Sequence, residues 1–61
     1  MLQVGDTVKH KESGSIGKVM YSTFGLSVGG ITKDEDGNIC HWQTLGEPRH
    51  VVEQYWEKVE E

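Results

Sequence analysis

The sequence predicts an all-β domain, and three observations lead to this prediction. Apolar residues come in short runs in which they alternate with polar ones, as in a strand with one covered face. Eight glycines divide these runs and indicate several tight turns. The pair Asp36-Gly37, which is typical of hairpin turns, stands between two of the runs. With 61 residues the chain forms one domain at most, covering positions 1–61.

The strand that follows this turn is predicted to be the one on which the others pack. Because side chains alternate between the two faces of a strand, Cys40 and Trp42 share one face, and Ile39 and His41 share the other. We expect the face that carries the indole to be the core. A hairpin loop with an even number of residues would place Ile31 on that same face.

The first half of the chain is predicted to supply the neighbouring strands. One strand is expected within Leu2–Lys9, where apolar and polar residues alternate. A second is expected at Ile16–Ser22, with Val19 directed inward. The next segment, Thr23–Gly30, has apolar residues spaced by two but also contains three glycines. It is therefore either a sharply bent strand or a mobile loop.

The C-terminal part is predicted to complete the sheet. Arg49–Glu53 is predicted to be the next strand, with Val51 and Val52 on opposite faces, and Gln54–Trp56 is expected to form a short helical turn. Glu57–Glu60 is then expected to be a brief edge strand, whose acidic side chains discourage pairing with other sheets.

Charge and composition limit the classes of function. The net charge of −4 gives no general attraction to phosphate backbones or anionic membranes. No apolar run approaches the length of a membrane span. The first residues have neither the basic region nor the apolar core of an export signal. Together with the single, unpaired cysteine, this favours a cytoplasmic protein.

The sequence contains no pattern that indicates a catalytic or metal site. Cys40 and His41 are expected to point to opposite faces of one strand, so they cannot easily share a metal ion. An inward Cys40 would be an inert thiol rather than a nucleophile. We therefore expect no enzyme activity, no metal and no cofactor.

The large aromatic rings are the more informative group. A domain of this size can bury only part of the set, and Trp42 is the residue we expect in the core. Tyr55 and Trp56 are adjacent and point in different directions, so one of them is expected to be exposed. We predict a non-enzymatic interaction module that binds a protein partner or itself, since an isolated core of this size is thin. The predicted contact residues are Tyr21, Phe24, Tyr55 and Trp56.

Two stretches carry a resemblance to known families. Val4–Val8 followed by Gly14–Val19 looks like the opening hairpin of KOW, Tudor and related barrels. Cys40-x-Trp42 followed by Tyr55–Val59 is similar to the YodC-like family of small bacterial proteins. These features resemble an SH3-like small barrel, which implies about five short antiparallel strands with a one-turn helix before the last. In such a barrel, Tyr55 and Trp56 could instead both plug the open end.

The same resemblance leaves two other functions open. KOW and Tudor barrels imply nucleic-acid binding, with phosphate contacts from a basic set that comprises Lys9, His10, Lys11, Lys18 and Arg49. Type II dihydrofolate reductases are SH3-like barrels with a Val-Gln-Ile-Tyr stretch in a late strand. Here Val52–Tyr55 resembles that stretch loosely, because Glu53 disturbs the order and the isoleucine is absent.

Overall fold

The computed structural model describes residues 1–59, which form one open antiparallel sheet and one short helix. The strand order is β4-β3-β2-β1-β5. This confirms the predicted all-β class, with five antiparallel strands and a short helix before the last one. The five strands form one sheet that is not closed. The elements are β1 (Thr7–His10), β2 (Ile16–Ser22), β3 (Gly25–Lys33), β4 (Ile39–Gln43), α1 (Arg49–Tyr55) and β5 (Trp56–Lys58).

Strand β2, rather than the strand that carries Trp42, lies at the centre of the sheet. Strand β3 is nine residues long and serves two neighbours. Its first half, Gly25–Gly29, pairs with β2, and its second half, Gly29–Lys33, pairs with β4. The hairpin of β3 and β4 therefore projects past the segment of β3 that is paired with β2. Strand β4 forms one edge of the sheet, which corrects the prediction that the other strands pack around it.

The core is small and lies on one face of the sheet. Val19 is fully buried, as the sequence predicted. Helix α1 covers this face with Val52, and β5 contributes Trp56. Trp42 is half-buried and packs against the same cluster. The buried apolar residues are Leu2, Val8, Val19, Leu26, Val28, Val52 and Trp56.

The register of the β3–β4 hairpin differs from the expected one. The last paired residues are Lys33 and Ile39, so the loop between them has an odd number of residues. As a result Ile31 lies opposite His41, and Gly30 lies opposite Trp42. Residues directly opposite each other share a face, so Ile31 is on the outer face of the sheet rather than with the indole.

Asp34 shapes this loop. Its Oδ1 accepts hydrogen bonds from the backbone N–H groups of Asp36 and Asn38, both at 2.9 Å. Its own N–H donates to the carbonyl of Asn38, and Gly37 adopts a φ of +84°. A short polar side chain that bonds backbone groups further along the chain stabilises a turn, and here it stabilises a wide one.

Cys40 is exposed, so the prediction of an inward thiol beside Trp42 is wrong. Both residues are on the same side of β4, but Cys40 lies opposite Thr32 in the projecting half of the hairpin. No buried residue of the core reaches that far, so only Trp42 packs against the core.

The predicted strand at Arg49–Glu53 is instead part of α1, which extends to Tyr55. The carbonyl of Pro48 accepts hydrogen bonds from the N–H groups of Val51 and Val52, which starts the helix. Val52 is the buried residue of this helix, and Trp56, which begins β5 directly after it, is buried as well. Of the last predicted strand, Glu60 lies outside the described residues.

The uncertain segment after β2 is largely a strand. β3 begins at Gly25, and Leu26 is buried, so the bent-strand alternative is confirmed from that residue onward. Phe24 lies in the turn before it and is exposed. Within residues 1–59, no helix has the length and apolar character needed to cross a bilayer.

Candidate interaction surface

The outer face of the sheet, which points away from the core, carries aliphatic side chains. In an antiparallel sheet with one buried face, the other face usually carries polar residues. Here Ile16, Ile31 and Ile39 are 51%, 61% and 61% exposed, and Met20 beside them is half-buried. The outer face is therefore more apolar than the solvent-facing side of an antiparallel sheet usually is.

A groove of about 760 Å³ runs across this face over strands β1 to β4. We call it the outer groove. Three glycines form part of its lining: Gly29 is on the outer face, whereas a Cβ atom at Gly17 or Gly30 would point toward Trp42. A Cβ atom at Gly29 would come within 2.6 Å of Met20 Cε, so the glycine makes room for the methionine. The lining residues are Thr7, Ile16, Gly17, Lys18, Met20, Gly29, Gly30, Ile31, His41, Trp42 and Gln43.

The charge of the outer face is opposite to that of the chain. Lys18 lines the groove and lies opposite Thr7, while Lys9 lies opposite Ile16. The two lysines are therefore diagonal neighbours. Lys33 lies on the same face, two residues beyond Ile31. Among the described residues that line the groove none carries a carboxylate, although the chain has ten acidic residues.

One acidic side chain does share this face. Glu57 lies opposite Lys9, on β5 at the far edge of the sheet. It lies beyond β1 and outside the lining of the groove. The groove is thus a locally positive, apolar surface on an acidic protein.

Two of the predicted aromatic contact residues, Tyr55 and Trp56, differ in their exposure to solvent. Trp56 is 9% exposed, so its assignment as an exposed contact residue is wrong. Its indole stacks on that of Trp42, with ring centroids 6.0 Å apart, and meets the edge of His10 at 4.9 Å. Tyr55 is 52% exposed, which confirms that one ring of this adjacent pair faces water.

The exposed aromatic residues do not form one surface. Tyr21 and Phe24 are exposed at the end of β2 and in the turn that follows it. Tyr55 lies parallel to the ring of His10, at the end of β1 that is next to the start of β2. The seven residues of β2 separate these places by about 20 Å. A single contact that uses Phe24 and Tyr55 together would have to span this length.

The predicted basic set is also divided. Lys9 and Lys18 lie together on the outer face. His10 belongs to the inner side, where its Nδ1 accepts hydrogen bonds from the N–H groups of Glu12 and Ser13.

The two remaining basic residues lie elsewhere. Lys11 donates from Nζ to the carbonyl of Glu53 at 3.1 Å. Arg49 is exposed at the start of α1. Only two of the five residues therefore belong to one surface.

The residues considered for chemistry are dispersed as well. Val52–Tyr55, which carried the reductase resemblance, is helical and not part of a strand. Among residues 1–59, no three His, Cys, Asp or Glu side chains are grouped so that they could hold a metal ion. The pKa of Asp34 is lowered, first by the hydrogen bond from the Asn38 backbone, and this carboxylate serves its own loop.

Comparison of the chain with family models, with curated proteins and with solved structures found no match. The sequence pointed to Lys9 and Lys18 but missed the aliphatic part of the groove. A detectable signal was present, because Ile16, Met20 and Ile39 are apolar at positions that alternate with the inward residues.

Proposed function

We propose that this chain is a non-enzymatic interaction module that binds a protein partner through the outer groove. The observation that supports this most strongly is the exposed aliphatic surface of the outer face: Ile16 and Ile31 line the groove, and Ile39 is the diagonal neighbour of Ile31 on β4. Exposed aliphatic side chains grouped on one face beside polar residues are typical of protein-binding sites.

The distribution of apolar residues supports the same proposal. Among the described residues, nine large hydrophobic side chains are exposed, against seven apolar residues that are buried. Covering the exposed apolar surface stabilises such a domain more than it would stabilise a domain with a large core. Covering can come from a partner or from a second copy of the chain. An exposed, free thiol at Cys40 is compatible with the reducing cytoplasm, where we propose that the protein acts.

Nucleic-acid binding is the second candidate, because Lys9 and Lys18 are neighbours on the outer face. Two features weigh against it. The net charge is −4, and the indole of Trp42, although it lines the groove, is half-buried, packs over Gly30 and stacks on Trp56. Tyr21 and Phe24 lie at the far end of β2, and the Tyr55 ring lies beside His10, which is on the opposite face of β1 from Lys9. Stacking of bases on aromatic rings, the usual partner of phosphate contacts, is therefore not supported at this face.

The proposal is tested by removing apolar surface inside and outside the groove. Ile31→Ser changes the groove, and Leu45→Ser is the control, since Leu45 is 85% exposed and lies outside the groove. We expect proteins from the native host that crosslink to the wild type to be lost with Ile31→Ser and retained with Leu45→Ser. Light scattering gives the molar mass of each purified variant, which distinguishes binding of another protein from self-association.

Equal capture by the two variants would refute the use of the groove. A fall in mass with Ile31→Ser in the absence of other proteins would identify the partner as a second copy. Thermal unfolding of both variants, followed by circular dichroism, shows whether any loss of capture results from unfolding.

A further inference from the structure

We infer that the occupant of the outer groove is an acidic segment of another protein, with aliphatic residues between its carboxylates. This inference rests on the proposed function and names the partner that this surface fits. It is carried by two features that occupy the same face: the aliphatic side chains and the lysines around them.

The charge of the groove favours an acidic occupant. Lys18 lines the groove, Lys9 is its diagonal neighbour, and Lys33 lies on the same face beyond Ile31. Three of the six Lys and Arg residues of the chain are thus on this face. Complementary charges speed association and select among partners. The net charge of −4 alone would favour a basic partner, but the local charge of this face is positive and favours an acidic one.

The same charges weigh against a second copy as the occupant. In a two-fold symmetric dimer the same patch meets itself. Lys18 of one copy would then approach a groove that carries Lys18 and Lys9 of the other. Like charges brought together at an interface oppose association, and the groove has no carboxylate among its described lining residues to offset them.

The shape of the groove favours a peptide over a small molecule. Ile16 and Ile31 line it while more than half of each remains exposed, so the groove is open along its length. Small-molecule sites typically bury about 70–90% of their ligand, which an open groove cannot do. An extended peptide needs only one covered side, and it directs alternate side chains to that side.

The probes for the test are three fluorescein-labelled peptides of equal length and one oligonucleotide. In the first peptide glutamate alternates with leucine, in the second lysine alternates with leucine, and in the third glutamate alternates with serine. The oligonucleotide is single-stranded oligothymidylate. Anisotropy at several salt concentrations measures binding to the full chain. We expect the glutamate–leucine peptide to bind at least about tenfold more tightly than either other peptide, because only it supplies both charge and apolar contact.

Matched charge reversals locate the binding. Lys18→Glu changes the groove, and Arg49→Glu makes the same change in net charge at the exposed start of α1. We expect Lys18→Glu to weaken binding of the glutamate–leucine peptide by roughly fivefold or more, and Arg49→Glu by less than about twofold. Chemical-shift changes in a ¹⁵N spectrum should be centred on Ile16, Lys18, Ile31 and His41.

The alternative outcomes are distinct. Equal weakening by both reversals would overturn the inference, because binding would then depend on net charge alone. If the oligonucleotide binds more tightly than the glutamate–leucine peptide, and Lys18→Glu abolishes that binding, the outer face is a nucleic-acid site. This outcome would also overturn the inference. If no peptide binds but Ile31→Ser still loses the captured partner, the inference fails and the proposed function stands. If neither effect is seen, both fail.

Discussion

A methyl group added at Gly30 should destabilise the protein, whereas one added at Gly29 should not. The indole of Trp42 lies directly over Gly30. A Cβ atom at Gly30 would overlap Trp42 Cζ2, lie 2.6 Å from Cε2 and lie 2.9 Å from the carbonyl oxygen of Ile16. The ring cannot retreat easily, because its other side stacks on Trp56 with centroids 6.0 Å apart.

The neighbouring glycine is a matched control in the same strand. A Cβ atom at Gly29 would come within 2.6 Å of Met20 Cε, the end of a flexible side chain that can rotate away. The next nearest groups lie at ordinary contact distances, 3.4 Å for Met20 Sδ and 3.5 Å for the carbonyl oxygen of Trp42. Neither glycine has a positive φ, so backbone strain does not separate the two positions.

The expected magnitudes follow from this difference. Overpacking against a ring and a backbone oxygen costs about 1–3 kcal/mol, which we expect for Gly30→Ala. For Gly29→Ala we expect a stability within about 0.5 kcal/mol of the wild type or slightly above it, since alanine restricts the unfolded chain. A domain of this length has a total stability of roughly 3–9 kcal/mol, so the first change removes a large share.

Urea unfolding followed by tryptophan fluorescence measures both variants. For a domain of about 60 residues, each 1 kcal/mol also shifts the melting temperature by about 8 °C or less. Equal stability of Gly29→Ala and Gly30→Ala would refute the reasoning. So would a destabilised Gly30→Ala in which the near-ultraviolet circular dichroism of the two indoles is unchanged, because the cost would then come from elsewhere.

Two further predictions concern the end of the chain and the hairpin loop. Trp56→Ala should lower the free energy of unfolding by about 3–5 kcal/mol and unfold much of the population, whereas Tyr55→Ala should lower it by less than about 1 kcal/mol. The denaturant midpoints of the two variants measure this difference. A Trp56→Ala variant as stable as the wild type would contradict the burial of this ring. The lowered pKa of Asp34 means that its carboxylate stabilises the fold at neutral pH, and this contribution is lost as the pH falls through the folded-state pKa. Asp34→Asn should therefore reduce the pH dependence of the free energy of unfolding below about pH 4. An unchanged pH dependence would show that the loop does not stabilise the ionised carboxylate of Asp34.

The faces of β2 were predictable, but those of β3 were not. Val19 inward, with Lys18 and Met20 outward, follows from alternation alone, and the structure confirms it. Ile31 was placed on the wrong face because its position depends on the number of residues in the hairpin loop. That number is set by the hydrogen bonds of Asp34 to Asp36 and Asn38, which a turn pair such as Asp-Gly does not reveal.

The helix was misread for a related reason. Val51 and Val52 are β-branched and favour a strand locally. The tertiary fold overrides this preference, because the helix places Val52 in the core and leads directly into β5, which buries Trp56. Pro48 immediately ahead of the segment was the available signal, since proline at the start of a helix leaves no intrahelical hydrogen bond unmade. The candidate site was lost with the register, because the outer groove exists only when Ile31 faces outward.

The outer isoleucines contribute little to folding, and this bears on how the groove should be tested. A fully buried isoleucine contributes about 1.5–3 kcal/mol through removal from water. Ile31 is 61% exposed, so it realises only about two-fifths of that amount, on the order of 1 kcal/mol. The remaining apolar area is available to a partner without reorganising the core. Ile31→Ser should therefore leave a folded protein with a weakened binding surface, which separates binding from stability in a way that a change at Trp56 cannot.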